Sequence, residues 1–266
     1  MESGPLGARE RRERMSALIE EQGFAGVAEL SDAFGVSAVT VRADLDVLED
    51  GGTVRRIRGG AMPTSPSLFE RSFEETAVEA ATQKARIASA AVDLLEPGMS
   101  LLLDVGTTTA AIARELVRRE ELRDLTVITN GLSLALALEP AVPRLRVVVT
   151  GGTLRPLQHS LVAPLADVVL ARVHADVAFI GCNGVDATGG ITNLNLPEAE
   201  VKRAMIAAVH RVVVVADGSK IGRVRLGRVA AIDEVDDILT DDTALAEPLG
   251  RLRDLPDLQR PRVVVV

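Results

Sequence analysis

From residue 83 onward the chain alternates short, almost wholly apolar runs with stretches that repeat on a helical period, and few architectures accommodate that pattern. The runs are Ser100–Asp104, Leu125–Thr129, Leu145–Thr150, Asp176–Gly181, Val212–Ala216, Ile238–Thr240 and Arg262–Val266. Helical stretches lie between them, among them Thr82–Leu95, Thr109–Arg119 and Pro197–Val209. A strand that is apolar on both faces must be covered on both, which specifies a parallel sheet between layers of helices. The expected class is α/β, with a Rossmann-like parallel domain over residues 82–266. Ahead of it lie a breaker-rich linker over 63–81, which includes Pro63, Ser65 and Pro66, and a small unit over 8–62.

Composition excludes several classes. At 266 residues, with 47% hydrophobic and 26% charged side chains, the chain has ample material for a core and is not wholly disordered. No apolar run reaches the ~18–20 residues of a membrane span, and the start turns to charged residues where a signal peptide needs its apolar stretch. A cytoplasmic protein without a membrane partner is therefore expected. The single cysteine, Cys182, excludes an internal disulfide, and no Cys/His spacing fits zinc, so neither metal nor cofactor is expected. The absence of Trp and Tyr argues against base-stacking surfaces for single strands. Of 30 basic residues only Lys84, Lys202 and Lys220 are lysines, which marks them as places where a compact ammonium is needed.

Residues 9–22, 27–34 and 38–50 read as three helices, and Thr53–Arg58 as a short strand between glycine pairs. Two short helices, a tight turn and a wing make a winged helix-turn-helix pattern. On the third helix, capped by Ser37, Val41, Leu45 and Leu48 share an inward face. Val39, Arg42, Ala43 and, more obliquely, Thr40 point outward, as a recognition helix points to the major groove. Arg42 can read guanine or hold phosphate, Thr40 can take a phosphate or a base edge, and Val39 can touch a thymine methyl. Arg55, Arg56 and Arg58 would flank the duplex from the wing. The net charge of −8, and eight arginines against eleven acids over residues 1–62, require the positive charge to be segregated on one face. A helical protein-interaction module with solvated arginines is the competing reading.

Ala28–Ser37, Thr40-Val-Arg-Ala-Asp-Leu45, Leu48-Glu49 and Val54–Ala61 together resemble the signature of the DeoR family of bacterial transcriptional regulators. One departure stands out: the family usually carries two consecutive arginines before the Asp-Leu pair, and here the second is Ala43. The resemblance implies lower affinity or a shifted operator preference, since Ala43 lies on the outward face.

Four polar segments follow expected strands, where a parallel sheet places its ligand crevice. Asp104-Val-Gly-Thr-Thr-Thr109 runs into a helix and suits a phosphate dianion, or is an ordinary capping turn. Thr129-Asn130-Gly131 and Thr150-Gly151-Gly152-Thr153 are turns that also offer donors to a polyol. Gly181-Cys-Asn-Gly184 precedes Asp186, and Glu198 and Lys202 stand four apart on a helix, a spacing that a surface ion pair also explains. Asp217-Gly-Ser-Lys220 could grip a phosphate or a hydroxyl pair, while Lys84 reads as structural. The family resemblance implies a sensor domain similar to sugar-phosphate isomerases. By it Gly106, Thr107, Thr108 and Thr109 match the phosphate loop, and Asp104, Asn130, Gly151, Gly152, Asn183, Glu198, Lys202 and Lys220 surround the ligand.

The expectation is a non-enzymatic regulator, a homodimer or higher oligomer on double-stranded operator DNA. It would repress a carbohydrate-metabolism operon until a phosphorylated sugar releases it. Two alternatives stay open: a sugar-phosphate isomerase carrying a DNA-binding domain, with Glu198, Asp186 and Lys220 as candidate groups, and a constitutive repressor with a vestigial crevice.

Overall fold

The computed structural model describes residues 7–22, 25–57, 59–63, 70–256 and 260–266, and the chain divides into two compact units, Met1–Glu70 and Arg71–Val266. In the first unit the elements are α1 (Ala8–Gln22), β1 (Ala25–Gly26), α2 (Val27–Phe34), α3 (Ala38–Asp50), β2 (Val54–Ile57) and β3 (Gly60–Pro63). Met15, Ile19, Leu30, Val41, Leu45 and Val54 form its core. The tight turn between α2 and α3 closes on Gly35 at φ 62°, a left-handed conformation that glycine adopts without strain. β2 and β3 pair as an antiparallel wing, and β1 joins the far side of β3. Pro63 faces Val54 in that wing, so it ends a strand, where the sequence reading opened a linker. Leu48 is only partly buried beside Val41 and Leu45, at the margin of the inward face.

The second unit starts with α4 (Phe73–Ala77), a one-turn helix inside the segment expected to be linker, and α5 (Ala81–Val92). There follow β4 (Ser100–Leu103), α6 (Thr107–Arg118), β5 (Thr126–Thr129), α7 (Leu132–Leu138) and β6 (Arg146–Val149). Next come the hairpin β7 (Thr153–Arg155) and β8 (Ser160–Val162), then α8 (Leu165–Leu170) and β9 (Ala175–Gly181). β10 (Gly184–Asp186), β11 (Gly190–Asn193), α9 (Leu196–Ala207), β12 (Val209–Val215) and β13 (Gly227–Ala230) lead to β14 (Asp237–Thr240), α10 (Ala246–Arg253) and β15 (Arg262–Val265).

Seven of these strands form one sheet in the order β15-β14-β12-β9-β4-β5-β6, and every pairing in it is parallel. Side-chain alternation sorts the strand residues into two cores. Leu101, Leu103, Val177, Phe179, Val213 and Val215 pack under α5, α6 and α7. Leu102, Ala178, Ile180, Val212 and Val214 pack on the opposite face under α8, α9 and α10. Burying each large aliphatic side chain contributes about 1.5–3 kcal/mol, so the runs that marked strands in the sequence are also what hold the layers together. The sequence did not distinguish the small sheet β10-β11-β13 or the β7–β8 hairpin, whose strands break their apolar residues with glycine and polar side chains.

This strand order reverses between β4 and β9. The connection from β4 moves one way through β5 and β6, and β9 returns to the other side of β4. At such a switch point the loops leaving the two strands diverge and open a crevice at their carboxyl ends.

Candidate functional site

In the first unit the candidate DNA-reading residues differ in how far they are exposed. Val39 is 72% exposed, and Arg42 and Ala43 are also exposed on α3. Ser37 caps the helix by accepting the Thr40 N–H at 3.2 Å, and its hydroxyl lies 2.9 Å from that of Thr40. Thr40 is therefore half-buried and tied to its own cap. Arg55 is exposed on the wing. Arg56, expected to flank the duplex, pairs with Asp46 of α3, and its backbone N–H donates to Glu49 at 2.8 Å. Its charge pins the wing to the recognition helix. Arg58 lies outside the described residues. Asp44, from the Asp-Leu pair, is buried and accepts from Arg11 at 2.7 Å, with Arg12 at 4.0 Å. That motif acid therefore fastens α1 to α3, and with Asp46 it accounts for part of the acid excess that had weighed against a DNA partner.

In the second unit, the ends of β4 and β9 are joined at the switch point. Asp104, fully buried, accepts the Gly181 N–H at 3.0 Å through Oδ2, and the same oxygen receives Lys202 Nζ. Its Oδ1 is buried without a hydrogen-bond partner among the described residues. Burial raises the Asp104 carboxyl to about 6, against the opposing pull of Lys202. Burial also works against the Lys202 charge, but the carboxylates of Asp104 and Glu198 outweigh it and hold the ammonium above its ordinary value.

The spacing of Glu198 and Lys202 left two readings, a surface ion pair or a place beside the ligand; the surface pair is not what forms. Instead both are buried, and each finds its partner elsewhere. α9 is capped by Asn195, whose side chain accepts the Glu198 N–H at 3.1 Å. This cap sets the helix phase so that both residues face inward. Glu198 accepts from Arg155 and from the Ser160 hydroxyl at 2.5 Å, with Asn193 at 3.4 Å. Arg155–Glu198 and Lys202–Asp104 thus form a compensated chain of charges beneath the strand tips. Arg155, Ser160 and Asn193 escaped the sequence reading. Their signal is indirect: an acid on an apolar helix face needs a partner, but nothing local says that a hairpin forty residues earlier supplies it.

Several other candidates also hold the loops together. Asn130 is fully buried; its Oδ1 accepts the Val105 N–H at 2.9 Å and its Nδ2 reaches the Leu161 carbonyl at 3.4 Å. Thr109 returns its hydroxyl to the Gly106 carbonyl at 2.9 Å. Asn183 accepts the Leu194 N–H at 2.9 Å. Asp217 caps its own turn through the Ser219 N–H at 3.1 Å, and Asp186 does the same for Thr188 and Gly189 at 2.9 Å. Gly152 sits where a Cβ would lie 2.2 Å from the Val162 carbonyl oxygen, so the backbone of this loop packs directly on β8. Burial pushes the Cys182 thiol up to about 12, far from a nucleophile's range.

What remains partly open at the strand tips is Gly106, Thr107, Gly151, Gly152, Asn183 and Lys220, with Thr108 just beneath. The first backbone N–H groups of α6 have no carbonyl one turn earlier to satisfy them, and they carry the positive end of the helix dipole. Lys84, read as structural, has a second aspect. Helices flanking a parallel sheet run opposite to its strands, so Lys84 near the start of α5 stands at the strand-tip end. Burial lowers its pKa, Asp217 opposes that shift, and Lys220 adds to it, which places two lysines within each other's field. Among the described residues no group of His, Cys, Asp and Glu could hold a metal, and no helix is long and apolar enough to cross a membrane.

This arrangement has counterparts among known proteins. Residues 11–66 match the model of the DeoR-like helix-turn-helix domain, and residues 79–242 match that of the DeoR C terminal sensor domain. A protein of Escherichia coli O157:H7 named as an aga operon transcriptional repressor is 37% identical, covering 93% of this chain and 91% of that one. The transcriptional regulator GlpR of Haloferax volcanii is 36% identical over 90% of this chain and 91% of its own length. The glycerol-3-phosphate regulon repressor of Escherichia coli K12 is 29% identical over 87% and 90%. A solved ribose 5-phosphate isomerase from Methanocaldococcus jannaschii overlaps 52% of each chain at 24% identity, with a TM-score of 0.37.

Proposed function

The chain belongs to the DeoR family of transcriptional regulators, and from that premise we propose that it represses a carbohydrate-metabolism operon until a phosphorylated sugar lifts it from the DNA. The observation that carries this reading is the division of labour at the switch point. Buried charges compensate one another in the chain Arg155–Glu198 and Lys202–Asp104, while the α6 N-terminus, Lys220 and Lys84 stand at the strand tips. An arriving phosphate meets orphan N–H groups and ammonium groups. The hydroxyls of the same ligand meet Asn183 and the Gly151–Gly152 backbone. Relatives named as repressors of the aga operon and of the glycerol-3-phosphate regulon support both the sign of regulation and the class of ligand.

The protein is a DNA-binding regulator, and the isomerase alternative finds no support. Glu198, the carboxylate nearest the role of a base, is engaged by Arg155, Ser160 and Asn193. In the proposed cycle a cytoplasmic symmetric oligomer presents two reading heads to half-sites one helical turn apart, or a multiple of it. The ligand favours an arrangement with weaker operator affinity, and its differential affinity sets the size of the shift.

Two variants test this. Thr108→Glu fills the phosphate position with a carboxylate, so it binds the chain's own upstream DNA but is no longer released by phosphosugars; normal release by any of them would misplace the phosphate site. Arg42→Ala abolishes footprinting on that DNA and leaves the phosphosugar-dependent rise in melting temperature intact.

A further inference from the structure

The residues that open the second unit are held down. The Gln158 side-chain amide donates to the Arg71 carbonyl, and the Phe73 N–H donates to the Leu157 carbonyl at 2.9 Å. The Phe73 ring lies 5.4 Å from the His159 imidazole, and His159 Nε2 lies 3.2 Å from the Glu74 carboxylate. α4 itself has five residues, none buried, and a capping box between Ser72 and Glu75. A single turn of helix is not stable alone. Its place depends on the β7–β8 hairpin at one end and, at the other, on Lys84, which donates to the Thr76 carbonyl at 2.6 Å.

Both anchors lead back to the strand tips. Arg155 and Ser160 face each other as the last pair of the hairpin before its loop, and both hold Glu198. The same turn is fixed to the β5 tip: the Leu161 N–H donates to the Asn130 carbonyl at 2.8 Å, and the Leu132 N–H to that of His159 at 3.0 Å. His159 holds φ 55°, a left-handed conformation that costs a non-glycine residue about 1 kcal/mol. So one short loop touches the buried acid on one side and the start of the unit on the other. Lys84 is similarly two-sided, bonded to a neutral carbonyl while Asp217 and Lys220 act on its charge.

We propose that Arg71–Ala77 is a strap that reports occupancy of the strand-tip crevice, with the β7–β8 hairpin and Lys84 as its two couplings. This rests on reading the crevice as an effector site. An anion at the α6 N-terminus draws Lys84 off the Thr76 carbonyl, because a full negative charge attracts the ammonium more strongly than a carbonyl dipole does. A ligand hydroxyl that competes for Arg155 or Ser160 re-sets the hairpin. Either event frees the strap, and freeing seven residues adds up to roughly 24 Å of reach to the tether of the DNA-reading unit. In an oligomer with two heads, a longer tether lowers the effective concentration of the second head on its half-site.

Amide hydrogen exchange on the full-length protein tests the coupling without any ligand. Ser160→Ala removes a bond to Glu198 and touches nothing in the strap. It speeds exchange of the Phe73 and Thr76 amides at least tenfold, Ser160→Thr restores their protection, and Phe73→Ala in turn speeds exchange at Leu161. Leu252→Ala, a core truncation in α10, controls for general loosening: it lowers overall stability and leaves the strap amides alone. Strap amides indifferent to Ser160→Ala, or equally affected by Leu252→Ala, would overturn the proposal. The effector reading is judged separately with D-fructose 6-phosphate, D-ribose 5-phosphate and glycerol 3-phosphate. If one of them raises the melting temperature and releases DNA while the strap fails its test, the strap falls and the sensor stands.

Discussion

Lys202 shows how much one side chain can decide. Its ammonium is buried against Asp104, and removing it leaves a carboxylate with neither water nor counter-charge. Lys202→Ala is expected to cost about 3–5 kcal/mol in urea denaturation, while the double variant Asp104→Leu/Lys202→Met recovers most of that loss. The Asp104 carboxyl adds a pH signature. Its value of about 6 in the folded chain exceeds its ordinary 3.8, so between those values the folded state holds more protons than the unfolded state. This residue's contribution therefore falls as pH rises from about 4 to about 6. Melting temperatures of the wild type measured against the double variant should show that slope disappear. On the DNA-reading side, Val39 is an exposed apolar residue with nothing to stabilise. Val39→Ser should leave stability within about 0.5 kcal/mol and weaken operator binding by about 1 kcal/mol, as measured by fluorescence anisotropy.

At the scale of elements, the β7–β8 hairpin matters more than its six strand residues suggest, because it carries Arg155 and Ser160 and packs on a glycine. Gly152→Ala places a methyl into the Val162 carbonyl and strains a φ of 132°, and should destabilise the second unit by several kcal/mol in calorimetry. The same hairpin marks where sequence reading stops. Most strands of the large sheet were legible because burial on both faces leaves near-continuous apolar runs, and α2 and α3 because caps and glycines bound them. Gly106 and Lys220 were legible at strand tips for the same reason. The hairpin strands were not, because three residues are too few to show a period. Arg155 was invisible as Glu198's partner because the contact is fixed by tertiary packing, as was the diversion of Arg56 to Asp46.

For the whole molecule, each unit has a core of its own: one around Met15, Leu30 and Leu45, the others on the two faces of the seven-stranded sheet. Heating should therefore produce two transitions in calorimetry, with operator DNA raising one and a phosphosugar the other. A single merged transition, moved equally by both, would show that the cores unfold together. The self-cancelling chain of Arg155, Glu198, Lys202 and Asp104 carries a last consequence. Since the buried charges already cancel, and Asp217 is one acid against the two rim lysines, a guest that brings its own negative charge is favoured there. On the proposed reading, a sugar waiting unmodified outside the metabolic machinery would go unnoticed. The regulator would respond once a kinase had committed that sugar to breakdown, and so would track flux instead of supply.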